Sequence, residues 1–85
     1  MSISKMDVAI MRRMKKARLL VNIPSERADD LCGDGGLPKA GDTVLLDQGF
    51  TFPDGKAGGL VRCVENDGRI RYEAEVYETE MDVET

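Results

Sequence analysis

The chain has 85 residues with 41% hydrophobic and 33% charged residues, and a length of this order supports one small domain rather than two. It contains no histidine, which excludes Ser-His and Cys-His catalytic pairs and removes the commonest metal ligand. The net charge of −4 also disfavours non-specific binding to nucleic acid. We therefore predict a chain that is not an enzyme on its own and that takes no cofactor.

Residues 1–20 carry six basic residues and one acidic residue, whereas residues 72–85 carry six acidic residues and no basic one. The longest apolar run near the N-terminus, residues 19–21, is too short for a signal sequence or a membrane span. Cys32 and Cys63 are predicted to be free, partly buried thiols in a reducing compartment, with a single disulfide as the alternative. These features predict a cytoplasmic protein with no membrane contact.

The N-terminal segment predicts a helix over residues 4–17. Ser4 and Asp7 form a weak capping-box variant, and no glycine or proline interrupts residues 1–23. At helical spacing one apolar stripe would face the core, while basic residues cluster on the opposite side. The stripe consists of Ile3, Met6, Ile10, Met14 and Ala17.

The next segment contains two further predicted elements. Residues 18–23 either extend the helix or form a short strand, and the β-branched residues before Pro24 favour the strand. Ser25 is suited to cap a short helix that ends at Gly33, so residues 1–32 are predicted to be mainly helical. Residues 33–41 form a loop rich in glycine and proline.

From residue 42 the pattern becomes β, and residues 42–78 are predicted to form antiparallel strands over residues 43–47, 59–65 and 69–77. A three-residue loop at 66–68 would place Val64 opposite Ile70 and Arg62 opposite Tyr72. The alternative register, shifted by one residue, turns Val61 and Cys63 inward instead. Residues 79–85 form an acidic tail whose order the pattern leaves open.

These elements predict the α+β class. The N-terminal amphipathic helix would pack on a small antiparallel sheet or on an SH3-like barrel formed by the C-terminal half. The strands, the glycine-rich loop and the tight hairpin resemble the layout of small SH3-like barrels over about forty residues. This resemblance is one of architecture alone, since no diagnostic motif accompanies it.

Seven residues are candidates for partner binding. Arg12, Lys16 and Met11 lie on the predicted basic, Met-rich helix, which could contact phosphates, an acidic partner or a second copy of the chain, or could simply be a solvated face. Phe50 and Phe52 could anchor a partner, although such a pair more often folds back to plug the end of a barrel. The last two candidates, Glu73 and Glu75, lie on the acidic third strand of the β segment.

The resulting function hypothesis is a small, non-catalytic module that binds another protein, or itself as a homodimer. One alternative is a nucleic-acid-binding regulator that uses the basic helix, although nucleic acid is the less favoured partner. The other is an acidic inhibitor that mimics nucleic acid. Neither a P-loop nor an EF-hand spacing is present in the glycine- and aspartate-rich stretch around residues 29–42.

Overall fold

The computed structural model describes residues 14–33 and 36–84 of the chain. Within these ranges six strands form one antiparallel sheet, and no helix of seven or more residues is present. Two 3-10 turns, at Ser25–Arg27 and Glu78–Glu80, come directly before the second and the sixth strand. The strands are β1 (Lys15–Leu19), β2 (Ala28–Asp30), β3 (Thr43–Thr51), β4 (Ala57–Val64), β5 (Ile70–Tyr77) and β6 (Met81–Val83). The prediction of an α+β protein is therefore wrong for the part of the chain that the structure describes.

The C-terminal end of the predicted N-terminal helix is a strand in the structure. Residues 15–17, the last three of the predicted helix, belong to β1, while residues 4–13 lie outside the described ranges. In β1 the side chains of Ala17 and Leu19 are buried, and those of Lys16 and Arg18 are exposed. The segment fits a period of two as well as a helical period, and pairing with strands on both sides buries its apolar residues.

One further prediction is corrected, and the order of the acidic tail, which the sequence leaves open, is seen in part. The segment after Pro24 forms only the 3-10 turn Ser25–Arg27, without a side-chain cap from Ser25, and continues into β2 rather than into a helix. The described part of residues 1–32 is thus mainly extended, not helical. The acidic tail contributes β6, which pairs with β1.

The sheet has the strand order β2-β5-β4-β3-β1-β6, so its strands come from both ends of the chain rather than from the C-terminal half alone. Arg27, directly before β2, forms a bidentate pair with Glu80, directly before β6, with nitrogen–oxygen distances of 2.7 and 3.0 Å. The first and last strands of the order therefore begin close together. This contact requires the sheet to curl round on itself.

The hairpin between β4 and β5 combines both predicted registers. Val64 lies opposite Ile70, as the preferred register predicts, but a β-bulge between Cys63 and Val64 shifts the pairing beyond it. As a result Cys63, and not Arg62, lies opposite Tyr72, which is the alternative register. The bulge moves the charged Arg62 from the predicted inner face to the outer one.

The inner face of the curled sheet forms the hydrophobic core. Tyr72 is its largest fully buried side chain, and the remainder of the core is aliphatic or methionine, in keeping with the low aromatic content. The Tyr72 hydroxyl donates a hydrogen bond of 2.9 Å to the Asp42 carboxylate, which satisfies the one polar atom of that ring. The core residues are Ala17, Leu19, Ile23, Val44, Val61, Tyr72, Ala74, Val76 and Met81.

The Arg27–Glu80 pair should make the stability of the fold depend on pH. Hydrogen bonds donated by Arg27 lower the pKa of the Glu80 carboxyl. The pair therefore stabilises the fold at neutral pH, and this stability is lost as the pH falls through the lowered pKa. We expect Glu80→Gln to lower the free energy of unfolding by about 1 kcal/mol at pH 7. The difference from the wild type should shrink toward pH 3, as measured by urea denaturation.

The exposed neighbour Glu78 provides the control, because Glu78→Gln makes the same chemical change outside the pair. That variant should differ from the wild type by less than about 0.5 kcal/mol at either pH. An equal effect of Glu80→Gln at pH 7 and pH 3 would contradict the assignment of this stability to the ionised pair.

Candidate functional site

The outer face of the sheet carries the side chains that alternate with the core residues. Along β5 these are Glu73, Glu75 and Tyr77, as the sequence predicts for the third strand of the β segment. The register of the sheet brings residues of four other strands beside them. One row of cross-strand neighbours runs across the sheet through Lys16, Leu45, Arg62, Glu73 and Asp29.

An aromatic cluster covers one end of this outer face. The Phe52 ring folds back over Gly58 and lies between two other rings, with its centroid 4.0 Å from that of Tyr77 and 4.9 Å from that of Phe50. Phe52 is buried, while Phe50 and Tyr77 are half-buried. The pair Phe50 and Phe52 is therefore packed, but on the outer face with Tyr77 rather than in the main core.

Charged groups surround the ring of Tyr77. The Arg27 guanidinium lies 5.0 Å from its centroid and the Lys56 ammonium 5.9 Å, both within the range of a cation–π interaction. The Tyr77 hydroxyl donates to the Asp54 carboxylate at 3.1 Å. This hydrogen bond raises the pKa of Tyr77, so the phenol remains a neutral donor. These contacts hold the ring in place at the end of β5.

An acidic groove of about 290 Å³ lies beside the aromatic cluster, between β2, β5 and β4. The half-buried Leu60 is the largest apolar side chain of its lining, which is otherwise mostly polar. The exposed carboxylates of Asp29 and Glu75 form no ion pair with any described residue. The one basic residue of the lining, Arg27, is paired with Glu80. The groove is lined by Glu26, Arg27, Ala28, Asp29, Leu60, Glu73, Ala74 and Glu75.

Glu73 differs from the other carboxylates of the groove because Arg62 neutralises it. Arg62 forms ion pairs with Glu73 on β5 and with Asp47 at the bulge of β3. These two acidic partners raise the pKa of the Arg62 guanidinium against the opposing effect of burial. The uncompensated negative charge of the groove therefore comes from Asp29, Glu75 and Glu26.

The structure groups the predicted site residues into separate places. Glu73 and Glu75 share the acidic groove, whereas Phe50 and Phe52 share the neighbouring aromatic cluster. Lys16 is exposed on β1, on the other side of the sheet order. Arg12 and Met11, the other two members of the predicted basic surface, lie outside the described residues.

Sequence reasoning missed the other half of the groove. The sequence predicts a short helix for the segment that contains Glu26 and Asp29, and this prediction gives no link to the acidic residues of β5 some 45 positions later. The strand that joins them, β2, has three residues, too few for an alternating pattern to reveal it. Leu60 was placed on the inner face by the predicted register and moves outward with the bulge.

Both cysteines, potential nucleophiles, lie in the described ranges. Cys32 and Cys63 are free, half-buried thiols, as the sequence predicts, and burial raises the pKa of Cys63, which disfavours its reactive thiolate form. Residues 14–33 and 36–84 contain no cluster of three or more metal-ligating side chains. No helix in these ranges is long and apolar enough to cross a membrane.

The packing of Phe52 over Gly58 yields a test of the aromatic cluster. A Cβ at position 58 would overlap the Phe52 ring and the carbonyl oxygen of Val76, so we expect Gly58→Ala to destabilise the fold by about 2–3 kcal/mol. Gly49, in the adjacent strand, is the matched control, since its Cβ would meet only one oxygen at 3.6 Å. Urea denaturation of both variants should show the difference, and equal stability would contradict this packing.

Comparison of the chain with protein-family models, with curated proteins and with solved structures found no match in any of the three. No relative therefore indicates a ligand or partner for the acidic groove and the aromatic cluster. The groove geometry and its charges carry the functional proposal by themselves.

Proposed function

We propose that the protein is a small, non-catalytic interaction module that binds a positively charged segment of another protein in the acidic groove. The observation that carries this proposal is a groove whose lining combines three carboxylates without an ion pair, Asp29, Glu75 and Glu26, with the apolar side chain of Leu60. Charge complementarity of this kind steers a basic partner to the surface and rejects acidic ones. A lysine or arginine side chain can lay its methylene stem on Leu60 and direct its charge to the carboxylates.

The aromatic cluster supports the same function. Tyr77 follows Glu75 by two positions on the outer face of β5, so the half-buried rings of Tyr77 and Phe50 continue the groove at one end. Aromatic side chains at the edge of a groove are typical anchors for a protein partner because they offer large contact area at low entropic cost. The groove and the cluster together suit a segment that carries both basic and apolar residues.

The two alternative functions fit these surfaces less well. Binding of nucleic acid through a basic N-terminal helix loses support, because residues 15–17 lie in strand β1. The acidic strand β6 lies directly beside β1, and therefore beside Lys16. An acidic inhibitor that mimics nucleic acid would use carboxylates without the apolar side chain of Leu60 among them. Nucleic-acid binding remains an outcome of the peptide-binding experiment.

A charge reversal in the groove tests the proposal. We expect the full-length protein to bind a fluorescein-labelled octa-arginine peptide, with an affinity that falls as salt is added. Glu75→Lys should weaken this binding roughly fivefold or more, since it places a like charge beside the ligand. Fluorescence anisotropy measures both effects.

Glu78→Lys is the matched control, because it changes the net charge equally at an exposed position outside the groove. It should weaken binding less than about twofold. Equal losses in the two variants would mean that only the net charge matters and would contradict a specific groove. Tighter binding of a mixed-sequence DNA than of the peptide would favour the nucleic-acid alternative.

A further inference from the structure

The last strand, β6, lies at one end of the sheet and pairs with β1 alone among the described strands. Two bonds show which of its backbone groups face β1. The Leu20 N–H donates to the Glu80 carbonyl at 2.9 Å, and the Glu84 N–H donates to the Lys16 carbonyl at 2.8 Å. Because bonding alternates along an antiparallel pair, Asp82 also directs its N–H and C=O toward β1.

The intervening residues of β6 direct their backbone groups to the opposite, open side. The Met81 N–H donates to the Glu78 carbonyl in the preceding 3-10 turn. The Met81 carbonyl and both the N–H and the carbonyl of Val83 form no hydrogen bond with a described residue. An extended segment could bond to all three groups, since one residue of an added antiparallel strand exchanges two bonds with Val83.

The side chains of β6 indicate which kind of strand can be added. Asp82 and Glu84 are exposed on the outer face, while Met81 is buried and Val83 half-buried on the inner face. The strand that already pairs with β6 is β1, in which exposed basic residues alternate with buried apolar ones over residues 16–19. The open side of β6 presents the same two rows of side chains as its paired side does.

We propose that the open edge of β6 accepts an extended segment of a partner protein in which basic and apolar residues alternate, as they do in β1. The basic side chains lie beside Asp82 and Glu84, and the main chain bonds to Met81 and Val83. A second copy of β6 fits poorly, because acidic residues would then face acidic residues across the new pair. This edge is a surface separate from the acidic groove, whose lining includes no residue of β6.

The test uses the full 85-residue protein, labelled with ¹⁵N, and a synthetic acetylated and amidated peptide with the sequence of residues 14–20, MKKARLL. Hydrogen exchange of the Val83 amide should slow roughly tenfold or more when the peptide is at saturation. The Asp82 amide, which already faces β1, should change little. No binding at millimolar peptide, or binding that leaves the Val83 amide unchanged, would overturn the proposal.

N-methylation of single peptide amides provides a second readout that needs no change to the protein. Only alternate amides of an added strand point toward β6, so N-methylation should weaken binding at every second position and have little effect between them. Equal sensitivity at all positions would show that the peptide does not bind as a strand. This result would overturn strand addition without affecting the groove proposal.

Variants of the edge complete the test. Val83→Pro removes the one open N–H without removing a bond to β1, so it should weaken binding roughly fivefold, whereas Val83→Ala should retain it. Asp82→Lys should abolish the slowing of the Val83 amide by the peptide, while Glu78→Lys, the same change of charge at an exposed position outside both β6 and the groove, should retain it. Chemical-shift changes confined to Asp29 and Glu75 would assign the peptide to the groove instead. A dimer in light scattering, together with a slowed Val83 amide in the absence of peptide, would identify a second copy as the occupant. Either result overturns the proposal.

Discussion

The described structure depends on one constraint: the sheet has to bury its own apolar inner face. An apolar sheet face must be buried against another layer, and the described ranges contain no helix that could supply one. The six strands therefore curl until their inner side chains pack against one another around Tyr72. The curl brings Arg27 to Glu80, and this pair joins the two ends of the strand order.

The four aromatic residues of the chain are divided between the core and the outer face of the sheet. Only four aromatic residues are present, and one of them, Tyr72, is the largest side chain of the core. Its hydroxyl would be costly to bury without a partner, and Asp42 accepts its hydrogen bond. The other three aromatic residues pack together on the outer face, where the absence of a side chain at Gly58 makes room for Phe52.

The outer face combines residues that the chain keeps far apart. The pairing of β2 with β5 places Asp29 beside Glu73, and the β-bulge at Arg71 of β5 shifts the register so that Leu60 faces outward into the same groove. Negative charge remains there because Arg27, the basic residue of the lining, is paired with Glu80, and Arg62 is shared between Glu73 and Asp47. The function proposed for this face follows from charges that are left without a partner after folding.

Local pattern was sufficient to predict much of the C-terminal half. The alternation along β5, the turn at residues 66–68 and the first pair of the hairpin, Val64 with Ile70, are all confirmed. Local pattern failed for β1, because basic and apolar side chains alternate only over residues 16–19, and so short a stretch also fits one turn of a helix. It failed for β2 and β6 because each has only three residues.

By itself, then, the sequence determined the absence of histidine chemistry, the segregation of charge, the mainly aliphatic core and the position of the tight hairpin. Tertiary structure alone decided that the basic β1 pairs with the acidic β6, that Asp29 joins Glu75, and that a bulge reverses the faces of Arg62 and Cys63. The physical reason is that a short strand acquires its register from the strands that bury its apolar side chains. That information lies in residues distant along the chain and not in the strand itself.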